Sequence, residues 1–254
     1  MHRKRHHKAR SHDRHPPRIQ RRMRTAVAVF GLALGAVSPL HAQTVRKATL
    51  ESRESAATID ARWRESLESF AASDRAHSPQ PGGVVFVGSS SIRLWNDLER
   101  EFGTERVVKR GFGGSRLSDC ARYVAQLVLP YKPRLVVVYA GDNDLAEGAE
   151  PEAVLASYVE FVRQVREALP STRIAYLSIK PSPSREALMP AAVQTNELIE
   201  NYSKTDPMLD FIDIYTRMLD PKGRPRADLY VGDALHLNAA GYAIWKAAIA
   251  ERLH

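Results

Sequence analysis

From residue 84 onward the chain alternates short apolar runs with longer segments of helical period. The runs are Val84–Val87, Arg106–Val108, Leu135–Tyr139, Arg173–Ile179 and Phe211–Ile214. They are apolar at successive positions, the pattern of strands buried on both faces. Between Pro151 and Pro170, Val154, Leu155, Tyr158, Phe161, Val162, Val165 and Leu169 recur at three- and four-residue intervals, which predicts an amphipathic helix. Tyr242, Trp245 and Ile249 do the same within Ala239–Leu253, with Asn238 as the expected N-cap. Leu117, Cys120, Ala121, Val124 and Leu127 mark a further helical face, on which Cys120 reads as a small buried hydrophobe. Trp95 and Trp245 read as core. Ahead of the alternation, Ile59, Trp63, Leu67 and Phe70 predict a helix over about 55–73, followed by the breaker-rich link His77–Gly83. Strands separated by helices predict an α/β fold with a central parallel sheet covered on both sides. In such sheets, functional groups gather beyond the carboxyl ends of the strands.

One apolar run breaks this rhythm. Ala26–Val37 is twelve uncharged residues, preceded by arginines and followed by Ser38-Pro39-Leu40-His41-Ala42. At 1.5 Å per residue a helix of that length reaches about 18 Å, short of a ~30 Å hydrocarbon core. A basic segment, a short apolar run and a small residue at a cut after Ala42 describe a signal peptide over residues 1–42, and hence a secreted or periplasmic protein. Met23 begins a conventional leader by itself, so translation is expected to start there. The domains expected are this leader, a helical extension and linker over 43–83, and an α/β domain over 84–254.

Charge looks different once the leader is set apart. The chain has 254 residues, 37 Lys+Arg, 29 Asp+Glu and a net charge of +8, which suggests a phosphate-rich partner. Residues 1–42 hold ten of those bases and one acid, leaving 27 bases against 28 acids in the rest. A nucleic-acid or membrane-surface reading therefore depends entirely on the leader, and neither nucleic acid nor a stable membrane span is expected of the mature protein. A single cysteine excludes a disulfide framework, and no Cys/His cluster has zinc-finger spacing.

The expected strand ends carry the chemistry. The first runs into Gly88-Ser89-Ser90-Ser91, the second into Gly111-Phe112-Gly113-Gly114-Ser115, and the third into Gly141-Asp142-Asn143-Asp144. After the fifth comes Asp233-Ala234-Leu235-His236. Each alone also fits a turn or a helix cap. Together, at one edge of one sheet, they contain every part of an acyl-transfer site. A serine hydroxyl needs an adjacent base to become a nucleophile. Six of the nine histidines lie in the leader, His77 lies in the link and His254 is the last residue, which leaves His236. Asp233, three residues earlier, can fold back onto the imidazole. A Gly-Gly turn and the Asn143 amide offer donors for an oxyanion. Asp142 and Asp144 read as loop-stabilising caps, and the Pro-rich segment Ser178–Arg185 either shapes the acyl or alcohol pocket or is a rigid surface loop. The Gly-x-Ser-x-Gly elbow, the P-loop and the dinucleotide fingerprint are all missing.

These four blocks, in this order over about residues 84–250, resemble the SGNH/GDSL hydrolase superfamily. The resemblance aligns Ser90 with the family nucleophile, puts Ser89 where the family has Asp, and leaves Ser91 as a minor rival. It implies a catalytic triad of Ser90, Asp233 and His236. The implied oxyanion hole is the Ser90 and Gly114 N–H groups with the Asn143 amide. It also implies a three-layer, flavodoxin-like α/β/α sandwich, a small-molecule ester substrate, and no metal or organic cofactor. A non-catalytic carbohydrate- or acyl-binding module on the same fold is the alternative.

Overall fold

The apolar runs become five parallel strands in the computed structural model, which describes residues 61–103 and 106–252. The strands are β1 (Val84–Gly88), β2 (Val107–Gly111), β3 (Leu135–Tyr139), β4 (Arg173–Leu177) and β5 (Leu209–Ile212). Their order in the sheet is β2-β1-β3-β4-β5, all pairs parallel. This is the doubly wound order whose switch point lies between β1 and β3. The chain leaves β1 towards one side and β3 towards the other, so a crevice opens where their carboxyl ends part.

Both faces of the sheet are covered, because each strand alternates side chains between two apolar layers. Val85 and Val87 of β1 join Val108, Val136, Val138, Ile174 and Tyr176 in one cluster. Val84 and Phe86 join Val107, Val137, Tyr139 and Leu177 in the other. The first cluster is covered by α4 (Leu117–Arg122), α5 (Val124–Leu127), α6 (Asp142–Ala146), α7 (Pro151–Ala168) and α8 (Met189–Ser203). The second is covered by α2 (Ser90–Arg93), α3 (Leu98–Phe102) and α9 (Ala239–Ala250). Trp95 and Trp245 both lie in this second layer, edge to face at 6.0 Å. Cys120 is fully buried in the first. Asn238 caps α9, its side chain accepting from Ala240 N and Gly241 N.

The first described helix, α1 (residues 61–76), is the later part of the expected 55–73 helix and runs three residues past it. Its Trp63 is 3% exposed and meets Phe112 edge to face at 5.0 Å. At its other end Asp74 pairs with Arg110 of β2, and Tyr131 donates to Asp74 Oδ2 at 2.5 Å. The expected leader, the expected start at Met23 and the first part of the expected 43–83 extension lie outside the described residues. Among the described residues no helix is long and apolar enough to cross a membrane.

Helix α8 has no counterpart in the hydrophobic pattern. Its buried positions are Ala192, Thr195, Asn196, Ile199 and Ser203, mostly small or polar. The buried Asn196 serves as a bracket, accepting from Ile179 N at 2.7 Å and donating to Ile179 O at 3.1 Å. A helix that docks through hydrogen bonds to another segment's backbone leaves little apolar periodicity to read.

Candidate active site

Three loops leaving β1, β2 and β3 meet a fourth that precedes α9. Ser90 is the first residue of α2, directly beyond β1. Its Oγ lies 3.0 Å from His236 Nε2, and His236 Nδ1 lies 2.6 Å from Asp233 Oδ2. The ionised carboxylate only accepts, so Nδ1 carries the proton and Nε2 is left to accept from the serine hydroxyl. The other Asp233 oxygen accepts from Leu235 N and His236 N, both at 2.9 Å. One carboxylate thus shapes the turn and orients the ring. These bonds, led by the one to His236, hold the Asp233 carboxyl well below the usual carboxylate range. The turn places Ala234 at φ 56°, a left-handed conformation uncommon for a residue with a Cβ.

The three serines after β1 have separate fates. Ser89 is fully buried and Ser91 is 1% exposed, whereas Ser90 is partly open to solvent. His236 reaches Ser90 alone of the three. Ser91 instead faces the core, where its backbone carbonyl accepts from Tyr242 OH at 2.9 Å.

The donors gather around the same point. Among the described residues neither the Ser90 nor the Gly114 N–H finds an acceptor. Gly114 sits at φ 81°, where a side chain would be strained, and its carbonyl accepts from Arg62 Nη2 at 3.0 Å. Asn143 Nδ2 donates to Ser115 O at 3.0 Å, while Asn143 Oδ1 accepts from Arg185 Nη2 at 2.9 Å. A carbonyl can only accept and a guanidinium can only donate, so these two partners fix the amide's orientation. The second Nδ2 hydrogen remains available.

A charged cluster stands behind Asn143. Arg185 also donates to Asp142 O at 2.8 Å and lies 3.2 Å from Asp142 Oδ2. Lys180, buried, approaches the same carboxylate at 3.1 Å and the Tyr139 hydroxyl at 3.2 Å. Burial pushes the Asp142 carboxyl up, but Lys180 and Arg185 outweigh it and hold it below its ordinary value. The Ser178–Arg185 segment therefore lies behind the site and braces Asn143, while its Lys180 is sequestered from solvent. Asp144 is a cap at a distance: both of its oxygens accept from Leu117 N, the first amide of α4, at 2.9 and 3.1 Å. Burial pushes its carboxyl up to about 6.

Ser90, Gly114, Asn143 and His236 line one open cleft of about 790 Å³. Its far wall is α1, through Arg62, Trp63, Glu65, Ser66, Ser69 and Phe70. Hydrophobic spacing alone marks those residues as a helix; only the folded chain shows which groove they border. Arg62 and Arg93 are invisible for the same reason, since a lone arginine carries no pattern, and the Pro-rich segment that ends in Arg185 does not by itself show that this arginine braces Asn143. Among the described residues no group of His, Cys, Asp and Glu could hold a metal ion.

A five-stranded parallel α/β sandwich with serine, histidine and aspartate meeting at its switch point defines a class, the SGNH-type hydrolases. The model of the GDSL-like lipase/acylhydrolase family matches residues 81–244, and the chain belongs to that family. No curated protein matches the chain. Several solved structures share the fold. A Streptococcus pneumonia protein named for platelet activating factor is 17% identical, covering 81% of this chain and 99% of its own at a TM-score of 0.68. A GDSL-like lipase from Bacteroides thetaiotaomicron is 23% identical, covering 73% and 95% at 0.62. A catalytic mutant of Axe2, an acetylxylan esterase from Geobacillus stearothermophilus, is 14% identical, covering 68% and 94% at 0.56.

Proposed function

We propose that the protein is an exported serine esterase that cleaves small acyl or acetyl esters through Ser90, His236 and Asp233. The observation that carries this reading is the unbroken relay from Asp233 Oδ2 through His236 to Ser90 Oγ, at 2.6 and 3.0 Å. His236 Nε2 takes the hydroxyl proton as Ser90 Oγ attacks the ester carbonyl, and Asp233 stabilises the imidazolium that forms. The Ser90 and Gly114 N–H groups and the free Asn143 Nδ2 hydrogen receive the oxyanion. The imidazolium then protonates the departing alcohol, leaving an acyl-serine. Water, deprotonated by the same nitrogen, attacks the acyl carbon; the acyl–Oγ bond breaks, the carboxylic acid leaves, and the imidazolium returns its proton to Ser90 Oγ. All the steps are proton and acyl transfers that these side chains can perform.

Two features support the rest of the reading. Acetylxylan esterase and acetyl esterase structures share this fold, consistent with a short acyl group. The basic, apolar and small-residue sequence of residues 1–42 favours export, to the periplasm or beyond. The test is hydrolysis of p-nitrophenyl acetate and labelling by a fluorophosphonate. Ser90 is expected to carry the label, and Ser90→Ala or His236→Ala should each lower kcat by at least ~10³-fold, with little further loss when combined. A folded protein that neither reacts nor turns over ester refutes the reading, and a label on Ser91 refutes the assigned nucleophile. N-terminal sequencing of the protein from its host tests export, with Gln43 expected as the first residue.

A further inference from the structure

The cleft holds a cation that the relay does not use. Arg93 lies three residues beyond Ser90 on α2, where Cβ atoms three apart are about 5–6 Å from one another. Its place is fixed by close packing: a Cβ at Gly111 would lie 2.2 Å from Arg93 N, so the turn sits directly on the end of β2. The guanidinium is laid along the next loop, where a Cβ at Gly113 would come within 2.7 Å of Nε and 3.1 Å of Nη2. Gly113 thus clears the space that the guanidinium occupies in the cleft that Ser90 also lines.

Neighbouring cations are already paired with acids. Arg62 approaches Glu147 at 4.0 Å, Arg116 reaches Asp119 and Glu147, and Lys180 and Arg185 share Asp142. Among the described residues no carboxylate stands within ion-pair distance of Arg93, although its side chain is exposed and lines the cleft. Glu65, the acid bordering the cleft, does not pair with it. A guanidinium presents donors in a planar fork that matches a carboxylate or a phosphate.

We propose that Arg93 is an anion subsite, and that the esters this site favours carry a carboxylate or phosphate next to the scissile acyl group. This rests on the esterase reading and names its substrate class. The charge can belong to the acyl part or to the alcohol, and matched substrates separate the two. Mono-4-nitrophenyl adipate against 4-nitrophenyl hexanoate places it on the acyl side; 4-acetoxybenzoate against 4-acetoxybenzamide places it on the alcohol side.

The quantity read is the ratio of kcat/KM for the anionic ester to that for its neutral partner, in wild type and in Arg93→Gln. Comparing the two proteins cancels the intrinsic reactivities of the esters. For at least one pair the ratio should fall about tenfold, the scale of one lost hydrogen bond to a charged group. Arg93→Lys should retain part of the preference, because it keeps the charge and loses the fork. In the wild type the preference should shrink at about 1 M salt, where the Debye length is about 3 Å. Ratios within about twofold of wild type for both pairs in Arg93→Gln overturn the proposal, that being well below the cost of one such bond. If the wild type turns over neither neutral nor anionic esters, it is the esterase reading that fails. The subsite is then read by NMR in Ser90→Ala, where inorganic phosphate should shift the Arg93 Nε–H signal; an unmoved signal overturns the subsite by itself.

Discussion

Arg185 makes no contact with the reacting atoms assigned above, yet its removal should slow the reaction. It supplies one of the two bonds that hold the Asn143 amide, 2.9 Å to Oδ1, and ties the same turn through Asp142 O at 2.8 Å. In Arg185→Met, Ser115 O is the remaining anchor of the amide. A hydrogen bond to a charged donor is worth about 1.5–3 kcal/mol, which sets the orienting energy lost. That energy matters where the amide meets the developing oxyanion, so kcat should fall about 10- to 100-fold with KM changed much less. Arg185→Lys should lie between, since one ammonium cannot reproduce the fork that serves both Asp142 and Asn143. The assay is p-nitrophenyl acetate turnover, run well below the melting temperature of each variant. Asn143→Ala alone should cost on the order of 10²–10³ in kcat. If Arg185 acts through Asn143, adding Arg185→Met to Asn143→Ala should cost less than about threefold more. Losses that multiply in the double variant refute the argument, as does an unchanged kcat in Arg185→Met.

Two further outcomes follow from the packing around the site. The Asp144 carboxyl, raised by burial to about 6 from an ordinary 3.8, keeps its proton longer when folded than when unfolded. Its contribution to stability is therefore present below about pH 4 and lost as pH rises towards 6, by about 3 kcal/mol. Asp144→Asn should flatten that part of the stability curve in urea titrations between pH 4 and 7, and a curve parallel to wild type would refute the assignment. Trp63→Ala should cost about 3–5 kcal/mol, because Trp63 is 3% exposed and packs on Phe112. It should also raise KM by loosening the α1 wall. A loss below about 1 kcal/mol in urea would mean that α1 is not integral to the core.

Much of this architecture is written locally. A parallel strand buried on both faces has to be continuously apolar, so β1 and β3 are visible in the sequence without any neighbour. The helix from Pro151 is equally plain, since it buries a stripe of large side chains against the sheet. The ends are less legible. The apolar run Arg173–Ile179 reads as one strand, yet β4 stops at Leu177, because Ser178 and Ile179 turn to bond the β5 loop and Asn196. The expected fifth strand, Phe211–Ile214, pairs two residues earlier, over Leu209–Ile212.

Local pattern is enough to say which residue types stand at the strand ends, and in what order. Six of the nine histidines fall within residues 1–42, one in the link and one at the last position, which leaves His236, and Asp233 stands near enough to share its turn. Tertiary structure alone decided that Ser90 faces His236 while Ser89 and Ser91 turn inward, a choice made by the first turn of α2 against Gly111. It also set Arg185 against Asn143, 42 positions apart, turned α1 into a wall of the cleft and, among the described residues, left Arg93 without an acid. The physical reason is one of range. Periodicity and caps are contests among neighbours a few residues apart, whereas these contacts depend on strand order and on which loops the switch point brings together.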